Sequence, residues 1–262
     1  MIKTSEIKDR LDKLRINHQM TVDDSVVTEL EEAINEYEND SRKTVQNLIA
    51  QYKKKRDAYL EEVVRSKKMK QYEQQYKQYE YICGIDEVGR GPLAGPVVAC
   101  AVILPKDCDI LYINDSKKLS EEKRELLYEL ICEKAISIGI GIVGPDVIDE
   151  INILQATYEA MRNALSKLNV KPEVLLNDAV TIPQVEGIQV PIIKGDTKSI
   201  SIAAASIVAK VTRDRMMKEY DILFPEYGFA SNKGYGAKGH IDALKNIGAC
   251  SIHRKSFIKN FM

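Results

Sequence analysis

The sequence has no glycine or proline before Gly84, although the 262-residue chain contains 14 glycines and 8 prolines. These two residues are the strongest interrupters of helices, so their absence from such a long stretch predicts that it is helical. From residue 81 onwards, short apolar runs alternate with turns. We therefore expect an all-helical extension over residues 1–80 and a separate domain over residues 81–262.

Tryptophan is absent, and every run without a charged residue is shorter than the ~18 residues that a membrane-spanning helix needs. Residues 1–10 alternate charged with apolar residues and contain no secretory signal, so we expect a cytoplasmic protein without a membrane segment. The five cysteines are odd in number and widely spaced, which favours reduced, buried thiols over disulfides or a zinc site. With 44% hydrophobic and 29% charged residues, the composition excludes a disordered chain.

Charge is unevenly distributed, although the net charge is only −1. Residues 1–40 hold 5 basic and 11 acidic side chains, whereas residues 41–80 hold 11 basic and 5 acidic ones. Capping residues at positions 21–24 and 40–41 predict two helices. The second helix is basic and bears tyrosines: Tyr52, Tyr59, Tyr72, Tyr76 and Tyr79. The basic helix suits either an arm that binds nucleic acid or a solvated helix packed on the acidic one.

The pattern after residue 80 predicts an α/β domain. Apolar runs indicate strands at Tyr81–Asp86, Val97–Leu104, Ile136–Val143, Val174–Leu176 and Val190–Ile193. Helical spacing predicts helices at Glu121–Lys134, Ile153–Leu168, Ser199–Tyr220 and His240–Asn246. Two adjacent strands followed by alternating strands and helices describe a mixed sheet flanked by helices.

Acidic residues stand where predicted strands end. Asp86 and Glu87 finish the first strand, just before Gly89-Arg90-Gly91, and Asp178 and Asp196 follow two later apolar runs. Each could be a solvated turn residue, because aspartate is common in turns. Gathered at one end of a sheet, however, carboxylates repel each other and need cations, and oxygen ligands favour Mg²⁺ or Mn²⁺. Two such ions typically promote hydrolysis at phosphorus, so a phosphodiester is the expected substrate.

Basic groups that could hold a phosphodiester occur in several places: Lys117, Lys118, Arg213, Arg215 and the lysines and arginines after Ser231. Each could equally be a solvated surface charge. The three histidines, His18, His240 and His253, are too far apart in sequence to indicate a zinc site. We expect surface or capping roles for all three.

The segment Gly84–Pro96 resembles the signature of ribonuclease HII, the bacterial type 2 ribonuclease H. The resemblance continues in order through nearly all of residues 81–262, in the segments Asn114–Ser120, Asn152–Thr157, Lys194–Asp196, Ser201–Ser206, Lys210–Arg215, Lys233–Gly236 and His253–Phe257. It implies a ribonuclease-H-like fold and hydrolysis of the RNA strand of RNA–DNA hybrids, including ribonucleotides embedded in duplex DNA. The expected product ends are a 3′-hydroxyl and a 5′-phosphate.

The same resemblance assigns roles to individual residues. The four catalytic, metal-binding acids of the family fall on Asp86, Glu87, Asp178 and Asp196. The loop Gly89-Arg90-Gly91 is expected to read the 2′-hydroxyl with its backbone, Tyr235 to pack on the sugar at the RNA–DNA junction, and Lys117 to contact a phosphate. The implied cofactors are two Mg²⁺ or Mn²⁺ ions, the implied partners are hybrid and ribonucleotide-containing duplexes, and we expect a monomer.

The resemblance has two departures and two competitors. Asn177 stands where the family usually has a branched apolar residue, and Thr197 where small residues are common. Ribonuclease HIII shares the fold and chemistry, but it usually lacks an arginine at the position of Arg90 and has a strand-rich N-terminal platform. A non-catalytic nucleic-acid binder of the same fold is the other alternative, although clustered acids without metals would only repel phosphate.

Overall fold

The computed structural model describes residues 2–14, 16 and 19–261. His18, expected in the helical extension, therefore lies outside the described residues. The chain divides into two compact units, one of Met1–Met69 with Asp109–Ile113 and one of Lys70–Cys108 with Asn114–Met262. Residues 70–80, which we assigned to the extension from sequence, belong to the second unit. None of the helices in the described ranges is long and apolar enough to cross a membrane.

The first unit contains three helices among its described residues: α1 (Thr4–Lys13), α2 (Asp24–Tyr37) and α3 (Lys43–Lys68). Asp23 caps α2, because its side chain accepts a hydrogen bond from the Ser25 amide at 3.0 Å. The apolar stripe of α2 faces inward, with Leu30 and Ile34 almost fully buried. The helix predicted from the capping residues and the helical spacing is therefore confirmed.

The basic helix α3 packs on the acidic helix α2. Two ion pairs join them, Lys53 with Glu38 and Arg56 with Glu31. Tyr52 and Tyr59 lie in the core of this unit with 3% and 1% of their surface exposed, so they are not available to stack on nucleic acid. Lysines of α3 are exposed, and their role in phosphate binding stays a prediction.

A mixed sheet of five strands forms the centre of the second unit, in the order β3-β2-β1-β4-β5. β1 pairs antiparallel with β2 and parallel with β4, and β4 pairs parallel with β5. The strands are β1 (Ile82–Val88), β2 (Val97–Ile103), β3 (Ser137–Val143), β4 (Val174–Asp178) and β5 (Ile188–Ile192). The predicted α/β fold with a mixed, helix-flanked sheet is confirmed.

Two long helices, α6 (Pro145–Ser166) and α7 (Ile200–Leu223), pack on the sheet. The other helices of this unit are α4 (Gln71–Gln75), α5 (Glu121–Lys134), α8 (Phe229–Asn232), α9 (Lys238–Ile247) and α10 (Lys255–Ile258). Because strand residues alternate between faces, Cys83 and Ile85 of β1 pack towards α6, while Ile82 packs with Ile202 of α7. The tyrosines of the 71–80 segment join this second cluster, so they are packing residues as well.

Helix α6 starts earlier than the sequence predicted. It begins at Pro145, but Asn152 interrupts it with a φ of 66°. The Asn152 side chain accepts hydrogen bonds from the amides of Leu154 and Gln155, so it caps a new helical segment. The predicted start at Ile153 therefore marks this internal cap rather than the first turn of the helix.

Candidate active site

The predicted catalytic acids lie at one edge of the sheet. Asp86 and Glu87 are near the end of β1, and Asp178 is the last residue of β4. Asp196 lies in a short 3₁₀ turn, Gly195–Thr197, that follows β5. Since β1, β4 and β5 run parallel, their carboxyl ends meet at the same edge. The topology thus brings together acids that are far apart in sequence.

A hydrogen bond fixes the position of the third acid relative to the fourth. The Asp178 side chain accepts a hydrogen bond from the Gly195 amide at 2.7 Å, and Gly195 directly precedes Asp196. Lys194, just before it, has a φ of 56° and turns the chain sharply at the end of the strand. Asp178 and Asp196 are consequently held beside each other, both half-buried.

Asp86 is the most buried of the four acids, with 6% of its surface exposed. Its carboxylate accepts a hydrogen bond from the Glu87 amide at 2.8 Å, and the nearby Ser206 side chain lowers its pKa. The Ser206 hydroxyl also lies within hydrogen-bond distance of the Ser116 hydroxyl, with 3.0 Å between the two oxygens. The sequence predicted only a packing role for the α7 serines, and nothing in its spacing distinguishes Ser206 from Ser201.

Burial raises the pKa of Asp86 well above its ordinary value, and repulsion by Glu87 and Asp178 adds to this effect. Burial likewise raises the pKa of Glu87. Arg90 opposes this rise, because it forms an ion pair with Glu87 at 3.2 Å. Burial also raises the pKa of Asp196, with a further contribution from Asp178. The acids therefore lie close enough together to raise one another's pKa values. The neighbouring basic side chains do not fully offset this effect.

This environment suits a hard divalent cation. Carboxylate oxygens are the ligands that Mg²⁺ and Mn²⁺ prefer, and a bound cation would relieve the repulsion that raises these pKa values. Among the described residues, however, no group of three or more His, Cys, Asp or Glu side chains is close enough together to hold one ion as it stands. The donor chemistry and electrostatics fit a metal centre, whereas the individual ligands stay a prediction.

Lysines approach the acids from the turn at Ser116–Lys118, which Asp115 caps by accepting a hydrogen bond from the Lys117 amide at 3.0 Å. Lys117 is exposed and lowers the pKa of Glu87 and Asp196, so it lies near both. Asp115 is a further acid at this edge, because it raises the pKa of Asp196. Asp115 was not among the predicted site residues, although only Ser116 separates it from the two lysines.

Two fully buried arginines hold the loop that joins β1 to β2. Arg254 donates to the carbonyl oxygens of Gly89, Arg90 and Gly95 at 2.5, 2.9 and 2.9 Å. Arg213 donates to those of Pro96, Lys233 and Ala94 at 2.9, 2.9 and 3.1 Å. Burial lowers the pKa of Arg213 to about 10 and that of Arg254 to about 9, so both stay charged at neutral pH.

The suggested phosphate contact of Arg213 is therefore wrong, because the side chain is 0% exposed and its donors point to backbone carbonyls. Arg215 is used differently again, in an ion pair with Glu125 at 2.5 Å. Gly89 lies against the Arg213 side chain with a φ of 91°, and a Cβ there would stand 2.3 Å from Nε of Arg213. Only glycine fits this position, which explains the first glycine of the loop.

Tyr235 stands beside the same loop. A Cβ built on Gly91 would lie 3.7 Å from Cε1 of the Tyr235 ring, and 45% of the tyrosine surface is exposed. The backbone of Tyr235 is anchored, because its amide donates to Asn232 at 2.9 Å and its carbonyl lies 2.8 Å from Nδ1 of His240. The structure thus brings Tyr235 and the Gly89-Arg90-Gly91 loop together.

His240 and His253 do not take the surface positions that we expected. His240 and His253 are 1% and 4% exposed, and their Nε2 atoms lie 2.9 Å apart. Burial lowers the pKa of His240 and brings that of His253 to about 4, so both are neutral at pH 7. They link the Tyr235 carbonyl to the segment that carries Arg254. Sequence gave no sign of this pairing, since 13 positions separate them.

Comparison with known proteins identifies the family. The sequence profile described as "Ribonuclease HII" matches residues 83–260, and that described as "Ribonuclease HII N-terminal domain" matches residues 3–77. The ribonuclease HII of Lachnoclostridium phytofermentans is 67% identical over 224 residues, covering 86% of this chain and 88% of that protein. That of Listeria innocua is 56% identical over 220 residues, covering 83% and 84%.

A solved structure agrees with these matches. The crystal structure of ribonuclease H2 from Pyrococcus horikoshii OT3 superposes with a TM-score of 0.56 at 27% identity, covering 67% of this chain and 93% of that one. The resemblance inferred from the motifs is therefore confirmed, and the matches favour HII over HIII. The chain belongs to the ribonuclease HII family of divalent-metal-dependent endoribonucleases, which act on RNA–DNA hybrids.

Proposed function

We propose that this enzyme, besides cleaving the RNA strand of hybrids, incises duplex DNA on the 5′ side of single embedded ribonucleotides. The observation that carries the proposal is the position of Tyr235 beside Gly91, in a loop that directly follows Asp86 and Glu87. Tyr235 and this loop, which together could recognise one sugar, therefore lie next to a group of acids suited to phosphodiester hydrolysis.

The loop is suited to reading a 2′-hydroxyl, the group that distinguishes RNA from DNA. Glycine at position 91, where a Cβ would meet only the Tyr235 ring at 3.7 Å, leaves the backbone open to close approach. Arg254 holds the carbonyls of Gly89 and Arg90 in place, so the loop is ordered before a substrate arrives. An aromatic ring packed on the next sugar would then favour deoxyribose on that side of the junction.

The proposed metal ligands are Asp86, Glu87, Asp178 and Asp196. Two divalent cations bound there would supply Lewis-acid stabilisation of the charge that develops at phosphorus. The exposed ammonium of Lys117 is well placed to contact a nonbridging phosphate oxygen. Hydrolysis adds water to the phosphorus and breaks its bond to the 3′-oxygen, which leaves a 3′-hydroxyl and a 5′-phosphate.

The test is cleavage of three end-labelled duplexes with and without Mg²⁺ or Mn²⁺. One duplex carries a single ribonucleotide, one is a long RNA–DNA hybrid, and one is DNA throughout. We expect metal-dependent cleavage of the first two and none of the third, with product ends identified by ligation and phosphatase treatment. Asp178→Asn should be inactive on both substrates.

Two results would contradict the proposal. Cleavage of the long hybrid without incision at a lone ribonucleotide would favour an HIII-like specificity. Full activity of Asp178→Asn would remove that residue from the proposed metal site and place the third acid elsewhere, for example at Asp115, which also acts on Asp196.

A further inference from the structure

Glu73 is a half-buried acid outside the set of acids described above. It belongs to the short helix α4, within the segment that matches the family's N-terminal domain. Its Oε1 atom accepts hydrogen bonds from the Ser199 hydroxyl at 2.6 Å and from the Ser201 amide at 3.0 Å. Its Oε2 atom is inaccessible to solvent and has no hydrogen-bond partner among the described residues.

These contacts place Glu73 at the start of helix α7. Ser199 is the N-cap of that helix and is fully buried, and its hydroxyl also accepts a hydrogen bond from the Ile202 amide at 3.2 Å. The first amides of a helix have no partner within the helix and must be satisfied from outside. Here Ser199 supplies one acceptor, and Glu73 supplies another from 126 positions earlier in the chain.

The same helix start is connected to the candidate active site. The Ser199 amide donates to the Gly195 carbonyl at 2.8 Å, which ties the cap to the turn that contains Asp196. α7 also packs closely on β1, because a Cβ on Gly84 would stand 2.0 Å from the Ser201 carbonyl carbon. A shift of the α7 terminus would therefore move Asp196 relative to the strand that carries Asp86.

We propose that Glu73 is a positioning residue of the active site, which acts through Ser199 to hold Asp196 in place. This inference rests on the proposed function, in which Asp196 is a metal-binding acid. It gives α4 a role in the reaction, although no atom of Glu73 needs to touch the substrate.

The contacts specify what Glu73 must provide, which is an acceptor at Oε1 and not a negative charge. Both hydrogen bonds end on Oε1, and Oε2 has no hydrogen-bond partner in the part of the chain that is described. Burial also raises the pKa of Glu73, so its charged form is costly at this position. Glutamine keeps an acceptor at Oε1, whereas alanine removes it.

The variants Glu73→Gln and Glu73→Ala separate these requirements, and Gln75→Ala is the matched control at an exposed position of the same helix. Steady-state kcat and KM on a long hybrid, Mn²⁺ affinity by calorimetry and the melting temperature are measured for each. For Glu73→Ala we expect kcat to fall roughly tenfold to hundredfold, the range for a misplaced catalytic group. KM should change less than about twofold, and Mn²⁺ should bind more weakly.

Glu73→Gln and Gln75→Ala should retain wild-type kcat and Mn²⁺ affinity. A Glu73→Ala protein that melts earlier but keeps both values would show a purely structural role and overturn the inference. So would a Glu73→Gln protein as impaired as Glu73→Ala. If Glu73→Ala does not fold, Ser199→Ala removes the same connection and must then show the loss.

The variant Asp196→Asn tests the proposed function independently. If it retains wild-type cleavage and Mn²⁺ affinity, the proposed metal site is wrong whatever the Glu73 variants do. If Asp196→Asn is inactive while Glu73→Ala cleaves and binds Mn²⁺ normally, only the positioning role of Glu73 fails.

Discussion

Arg254 and Gly89 are 165 positions apart in sequence, yet the Arg254 guanidinium donates a hydrogen bond to the Gly89 carbonyl at 2.5 Å. The same guanidinium holds Arg90 and Gly95. A planar group with five donors can satisfy several carbonyls at once, which a lysine ammonium in one position cannot. The conformation of the candidate substrate loop therefore depends on a residue from the C-terminal region.

Arg254→Lys should impair both stability and cleavage. Carbonyls that lose their buried donor cost about 1–3 kcal/mol each, and the loop that carries Gly89 and Gly91 should become less ordered. We expect a lower melting temperature and reduced kcat/KM on every duplex substrate. The control is Arg215→Lys, which alters a half-exposed ion pair with Glu125 and should leave both quantities nearly unchanged. Equal effects of the two substitutions would argue against the role of Arg254.

Asp86→Asn should abolish cleavage and stabilise the fold at neutral pH. The substitution removes a proposed metal ligand. It also removes a buried carboxyl group whose pKa is raised by burial and by repulsion from Glu87. Less repulsion of phosphate should leave duplex affinity equal or higher. Gel cleavage, fluorescence anisotropy without metal and thermal melting measure the three effects. Normal turnover by Asp86→Asn would refute the site assignment.

Tyr235→Ala should slow incision at a single ribonucleotide more than cleavage of a long hybrid. Only the first substrate has a deoxyribose at a fixed place next to the ribonucleotide, where the ring is proposed to pack. We expect a loss on the order of ~1–3 kcal/mol in transition-state stabilisation, as for aromatic stacking on nucleic acids. Tyr235→Phe keeps the ring and serves as the control. Equal losses on both substrates would remove the junction role from Tyr235.

Acid should weaken the fold through His253. Its pKa is about 4 when folded, below the ordinary value of 6.5, because of burial and the neighbouring His240. The unfolded chain therefore binds a proton more readily, so this contribution is fully present above pH 6.5 and is lost as the pH falls towards 4. Urea unfolding at several pH values measures it. His253→Asn should show a smaller decline between pH 6.5 and 5 than the wild type, and an unchanged decline would contradict the prediction.

We propose that residues 81–262 form a domain that folds and cleaves without the N-terminal extension. Because residues 70–80 pack with that domain, the matched fragment 70–262, which retains Glu73, should be the more stable and more active of the two. Salt titration of duplex binding tests the basic helix α3. If both fragments bind duplex more weakly than the full chain does, and only at low salt, α3 contacts phosphates. An unchanged salt slope would leave α3 as a solvated helix.

Local signals in the sequence determined much of this protein. The absence of glycine and proline before Gly84 predicted the helical N-terminal region, and apolar runs predicted the sheet. The motifs around Gly84–Pro96 predicted the family. Acids at strand ends also predicted where Asp86, Asp178 and Asp196 would meet, because parallel strands end at a common edge.

Only the tertiary structure decided what the buried polar groups do. Arg213, Arg254, His240 and His253 look like surface charges in the sequence, yet each is at most 4% exposed. Their hydrogen-bond partners include backbone carbonyls, a backbone amide and each other, and backbone groups carry no sequence signal. Glu73 is similar, because its acceptor role exists only where folding brings it to Ser199. A side chain's type shows which hydrogen bonds it can make, whereas the fold determines which groups it meets and whether water competes for them.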